Sequence, residues 1–242
     1  MTKFNVIVPA YNCEDKIKTT LFSIIGQTYS NWNIFVIDDM STDDTFKTVQ
    51  DIKEGLKLEE KINVVQRKEK FGETRNTVDI VSKLDPESVV VRVDAGDFIT
   101  DLGCFEILDK IYRDHNPAVL WTKHRWSFTN DNISGPINAN FSVYDQPWKS
   151  SHMKTFRVKD FLGINEKNFK DDDGNWIMIA CDQAVFLPML ERARRRQRPL
   201  IFWDNVFYHY DINLKDPNLF KKDRSLMQKQ SAEMIRARGY IE

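Results

Sequence analysis

The chain has 242 residues, a formal net charge of −1 and a mean hydropathy of −0.50. That length allows one domain, or one domain with an appendage, and is enough to bury a sizeable core. The near-neutral charge gives no general attraction to nucleic acid or anionic membrane, and no uninterrupted apolar run approaches the roughly 20 residues that span a bilayer.

The first residues enter a strand pattern at once, without the apolar stretch of a signal peptide, so the expected location is cytoplasmic or at most peripheral. Cys13, Cys104 and Cys181 are odd in number and lack metal spacing, which predicts buried free thiols and no disulfide framework. FNVIVPA (4–10) and NIFVIDD (33–39) are short runs rich in β-branched residues, as expected of parallel strands buried on both faces. Between them Ile17, Leu21, Ile24 and Ile25 fall on one helical face. Ligands of such strand–helix–strand units bind beyond the carboxyl ends of the strands, where Tyr11, Asn12, Asp38, Asp39 and Ser41 lie. DTFKTVQDIKEGL predicts a second helix, INVVQ a third strand, TRNTVDIVSKL a third helix, and SVVVRVDAGD a fourth strand ending in carboxylates. This alternation through about residue 122 predicts an α/β fold with a doubly wound, mostly parallel sheet. Residues 124–152 are aromatic, polar and irregular, broken by Gly135, Pro136 and Pro147; so long an irregular stretch is more often functional than idle. A helix near Asp182 to Arg195, a strand LIFWDNVFYHY and a terminal helix from about Pro217 to Arg238 complete the pattern.

The ordered set Pro9, Tyr11, Asn12, Gln27, Thr28, Asp38, Asp39, Ser41 and Asp43 resembles the opening of the family 2 glycosyltransferases. These are GT-A enzymes that move a sugar from a nucleotide diphosphate to an acceptor; their motif runs P-x-Y-N, a helix ending near Q-T/S, then D-D-x-S-x-D. Helix caps at Asn12 and Ser41 and turn residues at Asp38 and Asp39 would explain each position singly, though not the conjunction. A glycine-rich dinucleotide fingerprint and a P-loop are both absent. The resemblance implies a single GT-A domain over 1–242, with 1–125 as the nucleotide-sugar-binding half, 126–215 as the acceptor-side half and 216–242 as a C-terminal helix. It also implies a nucleotide-sugar donor and a Mn2+ or Mg2+ ion.

A departing nucleoside diphosphate gains negative charge, which a divalent metal held by carboxylates stabilises. The family segment usually reads D-x-D-D or close to it, and here it is Asp94, Ala95, Gly96 and Asp97. The resemblance makes Asp97 the metal ligand and Asp94 a second carboxylate, while Gly96 replaces the residue that touches the ribose; a plain strand-end turn is the alternative. Asp39 would accept a hydrogen bond from the base, with Tyr11 packed beside it. An acceptor-only carboxylate suits the N3–H of uracil, so a UDP-sugar is the first choice of donor. Arg75 and Asn76, in FGETRN, would line the nucleotide pocket or brace the metal loop, unless Arg75 is simply a paired helix residue.

Asp182, at the start of the late helix, is implied as the base of an inverting transfer, with helix capping as the alternative. His209 is implied as a third metal ligand, or is structural. His152 and Arg157 could grip a phosphate or the acceptor. Among Trp121, Trp126, Trp148 and Trp176 one could stack on an acceptor sugar, Trp148 being the choice, although core packing is the commoner fate.

The run ERARRRQR (191–198) reads either as a solvated helix end or as a site for an anionic acceptor such as DNA. The terminal SAEMIRARGYIE is similar to virus-encoded members of the family, some of which glycosylate modified bases of viral DNA. The acceptor is thus expected to be a glycan or a hydroxylated base in viral DNA, the latter placing the protein in the host cytoplasm. The competing classes are a nucleotide-sugar-binding protein without catalysis, for which Gly96 would be the sign, and a sugar-nucleotide nucleotidylyltransferase. No feature assigns an oligomeric state.

Overall fold

Strands β1 (Phe4–Ala10), β2 (Trp32–Asp38) and β3 (Ile62–Gln66) pair in parallel because each is apolar on both faces and each is followed by a helix that returns the chain. The helices are α1 (Ile17–Ile25), α2 (Thr45–Gly55) and α3 (Gly72–Val81). Strand β4 (Val89–Arg92) joins the other side of β1, and β5 (Phe98–Ile99) and α4 (Cys104–His115) follow. Then come β6 (Val119–Trp126), β7 (Lys154–Arg157), the single-turn α5 (Val158–Phe161), α6 (Cys181–Arg195), β8 (Leu200–Tyr210) and α7 (Lys222–Arg238). The computed structural model describes residues 1–212 and 222–242, so the expected start of the last helix at Pro217 lies outside the described residues.

The described strands form one eight-stranded sheet in the order β3-β2-β1-β4-β7-β6-β8-β5. β7 runs antiparallel to β4 and β6, and β5 antiparallel to β8, while β6 and β8 are parallel. The sheet is therefore mostly parallel, as the alternation predicts. Its two faces carry separate cores because strand side chains alternate. Phe4, Val6, Val8, Val89 and Val91 pack with α1, α2 and α4, while Ile7, Val90, Trp121 and Phe156 pack with α3, α5 and α6. Each fully buried side chain of this size contributes about 1.5–3 kcal/mol.

Ile17, Leu21 and Ile24 of α1 are buried as their spacing predicts, and Cys104 and Cys181 are buried free thiols. α4 and β6, which the sequence analysis did not single out, occupy the interval up to residue 126. From there to β7 the chain is irregular apart from one 3-10 turn at Val143–Asp145.

Most arginines at the end of α6 are paired. Arg194 and Arg195 pair with buried Glu191, Arg198 pairs with Asp160, and Arg192 donates to the Asp160 carbonyl at 2.7 Å, while Arg195 and Arg196 stay exposed. The run thus ties α6 to its surroundings, as the end of a partly solvated helix.

Candidate active site

The carboxyl ends of β1 and β2 lie side by side, with Ala10 opposite Asp38, and the loops beyond them are laced together. The Asn12 amide donates to Ser41 Oγ at 3.0 Å, and Asn12 Oδ1 accepts from the Thr42 amide at 2.8 Å. Asp38 is fully buried; Oδ1 accepts from the Ser41 amide and Oδ2 from Gln66. Pro9, one residue before the end of β1, offers its carbonyl to the Ala95 amide at 3.2 Å, which draws the acidic loop after β4 onto the same rim.

Asp39 accepts from the Phe71 and Gly72 amides, each at 2.9 Å, and so pins the start of α3. Gly72 has a φ of +72°, and a Cβ there would meet the Met178 side chain, so any other residue would be strained at this turn. Both Asp39 oxygens retain a second lone pair, which keeps a contact to a nucleobase available. Tyr11 stands 47% exposed on the rim, with Lys70 Nζ 3.2 Å from its ring centroid. Asp39→Ala is expected to weaken metal-free UDP binding by about ten- to hundredfold, the worth of one hydrogen bond to a charged group. Calorimetric titration without metal measures it, and an unchanged dissociation constant would put Asp39 outside the nucleotide pocket.

Arg75 and Asn76 follow this pinned turn in α3. The Arg75 guanidinium lies 3.5 Å from the Phe71 ring centroid, and buried Asn76 accepts from Arg67 Nε at 2.9 Å. Both brace the Arg67–Arg75 segment that Asp39 pins.

Beyond β4 the chain turns sharply. Gly96, at φ +107°, donates its amide to Thr20 Oγ1 at 2.9 Å, a conformation that L side chains rarely adopt. That turn presents Asp94 and Asp97 to one point, where they meet His152: one ligand atom from each lies within 4.8 Å of the others. Asp97 is buried, accepting from the Tyr208 hydroxyl at 2.6 Å and from the Asp211 amide at 2.8 Å. Burial and then the Asp94 carboxylate push its carboxyl up to about 8, against those hydrogen bonds. His152 is stacked on Tyr208 at 4.7 Å, and burial, followed by the Lys154 ammonium, pushes it down to about 3. It is therefore a neutral imidazole, the form that binds metals, and its buried Nδ1 has no hydrogen-bond partner among the described residues. Two carboxylates that resist joint ionisation, beside an unpartnered imidazole nitrogen, fit a divalent cation.

Across a cavity of about 470 Å³ stands Asp182, in the first turn of α6. It does not cap the helix: Ala180 is the N-cap, and there is no side-chain capping bond. Instead Asp182 pairs with the ammonium of Lys154. Burial alone would raise its pKa, but the Lys154 ammonium, with Arg92, holds the carboxyl well below the usual carboxylate range. Trp126, Trp148 and Tyr210 give the same cavity aromatic walls.

A model of the family described as Glycosyl transferase family 2 matches residues 5–186, three quarters of the chain. The chain belongs to glycosyl transferase family 2. It is 22% identical to the chondroitin synthase of Escherichia coli over 98% of its own length and 33% of that protein's. It is 44% identical over 54 residues to the Escherichia coli UDP-Glc:alpha-D-GlcNAc-diphosphoundecaprenol beta-1,3-glucosyltransferase WfaP, 22% of each chain. The structure of Staphylococcus aureus TarS 1–349 in complex with UDP-GlcNAc superposes with a TM-score of 0.63 at 20% identity, covering 95% of this chain and 65% of that one. The mannosyltransferase PcManGT from Pyrobaculum calidifontis, in complex with GDP-Man and Mn2+, gives 0.63 at 16% identity over 95% and 62%. These likenesses establish the GT-A fold. The chain thus spans a third or less of these two curated relatives and under two thirds of the solved chains.

Within this family 2 domain two expected site residues lie elsewhere. His209 is not in the acidic cluster; it stacks on Phe98 at 4.4 Å and bonds to Arg125 and Ser127. Strand alternation is the reason, since Tyr208 and Tyr210 on either side of it face the site. His152, expected to grip a phosphate or the acceptor, takes its place. Arg157 is at the opposite end of β7, donating to the Glu87 and Tyr112 carbonyls and lying 5.1 Å from the Tyr112 ring centroid, so it reaches neither phosphate nor acceptor. Of the tryptophans, Trp126 and Trp148 line the cavity, while Trp121 is core, donating to the Gly135 carbonyl.

Three charged residues of the site escaped the sequence analysis. Glu73, on the cavity wall, is pushed up to about 7 by burial, with Arg92 opposing and Asp94 and Asp182 adding. Arg92 bonds to Glu73 and, through Nε, to Asp94 Oδ1 at 3.0 Å. Lys154 is the third. Arg92 and Lys154 are cations inside buried strand runs, VVVRV and KTFRV, and that anomaly was a readable signal.

Proposed function

We propose that this chain is a metal-dependent, inverting glycosyltransferase that moves a sugar from a nucleoside diphosphate, UDP first, to a hydroxyl acceptor. The convergence of Asp94, Asp97 and His152 on the carboxyl rim, facing Asp182 across one cavity, carries this reading. Asp94, Asp97 and His152 would hold the divalent cation, which supplies Lewis-acid stabilisation to the departing diphosphate. A mixed oxygen and imidazole set favours Mn2+ over Mg2+, which prefers oxygen alone. Tyr208 and the Asp211 amide fix the Asp97 carboxyl, and Arg92 fixes Asp94. Asp182 takes the proton of the acceptor hydroxyl as its oxygen attacks the anomeric carbon; a single displacement inverts that centre.

UDP as the nucleotide is supported by the acceptor-only Asp39 on the rim and by relatives named for UDP-Glc or solved with UDP-GlcNAc. A glycan acceptor suits the walls of Trp126, Trp148 and Tyr210, whose ring faces can stack on sugars. Pairing of Arg194, Arg195 and Arg198 with Glu191 and Asp160 favours a glycan over the DNA alternative by engaging part of the basic run. No described helix is long and apolar enough to cross a membrane.

A thermal-shift screen of nucleotides with and without Mn2+ tests the reading. UDP with Mn2+ at about a hundred times its dissociation constant should stabilise the fold by about 2.7 kcal/mol, and UDP alone by less. Stabilisation by no nucleotide overturns the proposal, and metal-dependent binding without UDP-sugar turnover on any glycan would leave a binding protein.

A further inference from the structure

Two cations lie side by side beneath the cavity. Arg92 on β4 and Lys154 on β7 are directly opposed in register, so their side chains leave the same face of the sheet with Cβ atoms about 5 Å apart. The Arg92 side chain is 2% exposed and that of Lys154 is 0%. Ile7, Val90 and Phe156 share their face of the sheet, and Phe186 of α6 packs in the same cluster. Buried like charges placed opposite one another are destabilising unless each is paired. Each is answered from a different helix: Arg92 by Glu73 of α3, with Asp94 added, and Lys154 by Asp182 Oδ1 of α6.

We infer that Lys154 is a positioning residue for glycosyl transfer, holding Asp182 by Oδ1 as an oriented carboxylate and leaving Oδ2 to receive the acceptor proton. The inference rests on Asp182 being the proton acceptor, as proposed above. In the step, the acceptor O–H bond breaks and its proton passes to Oδ2. The freed oxygen pair forms the new bond to the anomeric carbon, and the old bond to the diphosphate oxygen leaves with its electron pair. Lys154 serves Asp182, and from a fully buried position it cannot itself be the group that contacts the acceptor. A merely structural ion pair could be exchanged for apolar packing without touching turnover.

The test is a cycle of Lys154→Met, Asp182→Asn and the double variant, with Lys154→Arg as the conservative control. Lys154→Met is expected to fold, because the Asp182 side chain is 34% exposed and can turn to cavity water. Its kcat should fall on the order of a hundredfold while the donor KM stays within about threefold, as for loss of an oriented base. Lys154→Arg should recover most of that loss, and Lys154→Met should add less than about threefold to Asp182→Asn, since the two act as a unit. Parental kcat in folded Lys154→Met, or a full further loss in the Asp182→Asn background, overturns the inference. Should Lys154→Met not fold, the double variant, which carries neither charge, is compared with Asp182→Asn; equal turnover supports the role and lower turnover overturns it. Asp182→Asn at parental turnover would defeat the reading of Asp182 itself, whereas an impaired Asp182→Asn beside a fully active Lys154→Met defeats only the role of Lys154.

Discussion

Asp182→Asn is expected to lower turnover by about 10²–10⁴-fold while leaving nucleotide affinity unchanged, the usual contribution of a general base. Asparagine keeps a side-chain oxygen but cannot accept a proton. In the sequence helix capping is the alternative for this residue, and for a cap the same substitution would preserve stability. The structure removes that alternative, because the N-cap is Ala180 and the Asp182 carboxylate is given to Lys154. The variant should therefore also melt at a lower temperature than the parent, since the fully buried ammonium keeps a hydrogen-bond acceptor but loses its counter-charge. Initial rates, calorimetry and a melting curve read the three effects separately. Turnover surviving within a factor of about three would exclude Asp182 as the base. The proton acceptor would then be sought at Glu73, which lines the same cavity. Asp171, Asp172 and Asp173, the acidic run before α6 that the sequence also offers as a base, are not among the residues that line this cavity.

Asp97→Asn is expected to abolish transfer and to erase the part of UDP binding that depends on Mn2+. An amide oxygen is a poorer ligand than a carboxylate for a hard cation, and Lewis-acid stabilisation of a leaving group is worth several kcal/mol, on the order of a thousandfold or more in rate. The fold should persist. Asparagine still offers an oxygen to the Tyr208 hydroxyl or the Asp211 amide, the two groups that hold Asp97 in place. It also relieves the Asp94 repulsion that adds to burial in pushing the Asp97 carboxyl up to about 8. The measurement is a titration of UDP in the presence and absence of Mn2+, and equal affinity for variant and parent with the metal would remove Asp97 from the ligand set. His152→Ala in the same titration asks whether the imidazole belongs there too; a parental metal-dependent increment would remove His152 from the ligand set.

The amino-acid sequence alone determined the strand–helix–strand opening, the bounds of β3 and β8, the start of α6 and the rim on which the acidic residues stand. These are local properties. A buried parallel strand shows itself as a β-branched run, a helix as a repeat of apolar residues on one face, and a strand's carboxyl end follows directly from its direction. The tertiary structure decided the rest, because the sheet is not assembled in chain order. Insertion of β7 beside β4 opposes Lys154 to Arg92, sets His152 against Asp94 and Asp97, and carries Arg157 to the far end of the strand. The alternation of β8 then turns Tyr208 toward Asp97 and His209 away from it. Nothing in the periodicity of one strand specifies its neighbour or its register across the ladder, since those follow from which faces can be buried together. For that reason Asp94, Asp97 and Asp182 were legible residue by residue, while which acid each buried cation answers became visible only once the strands were paired.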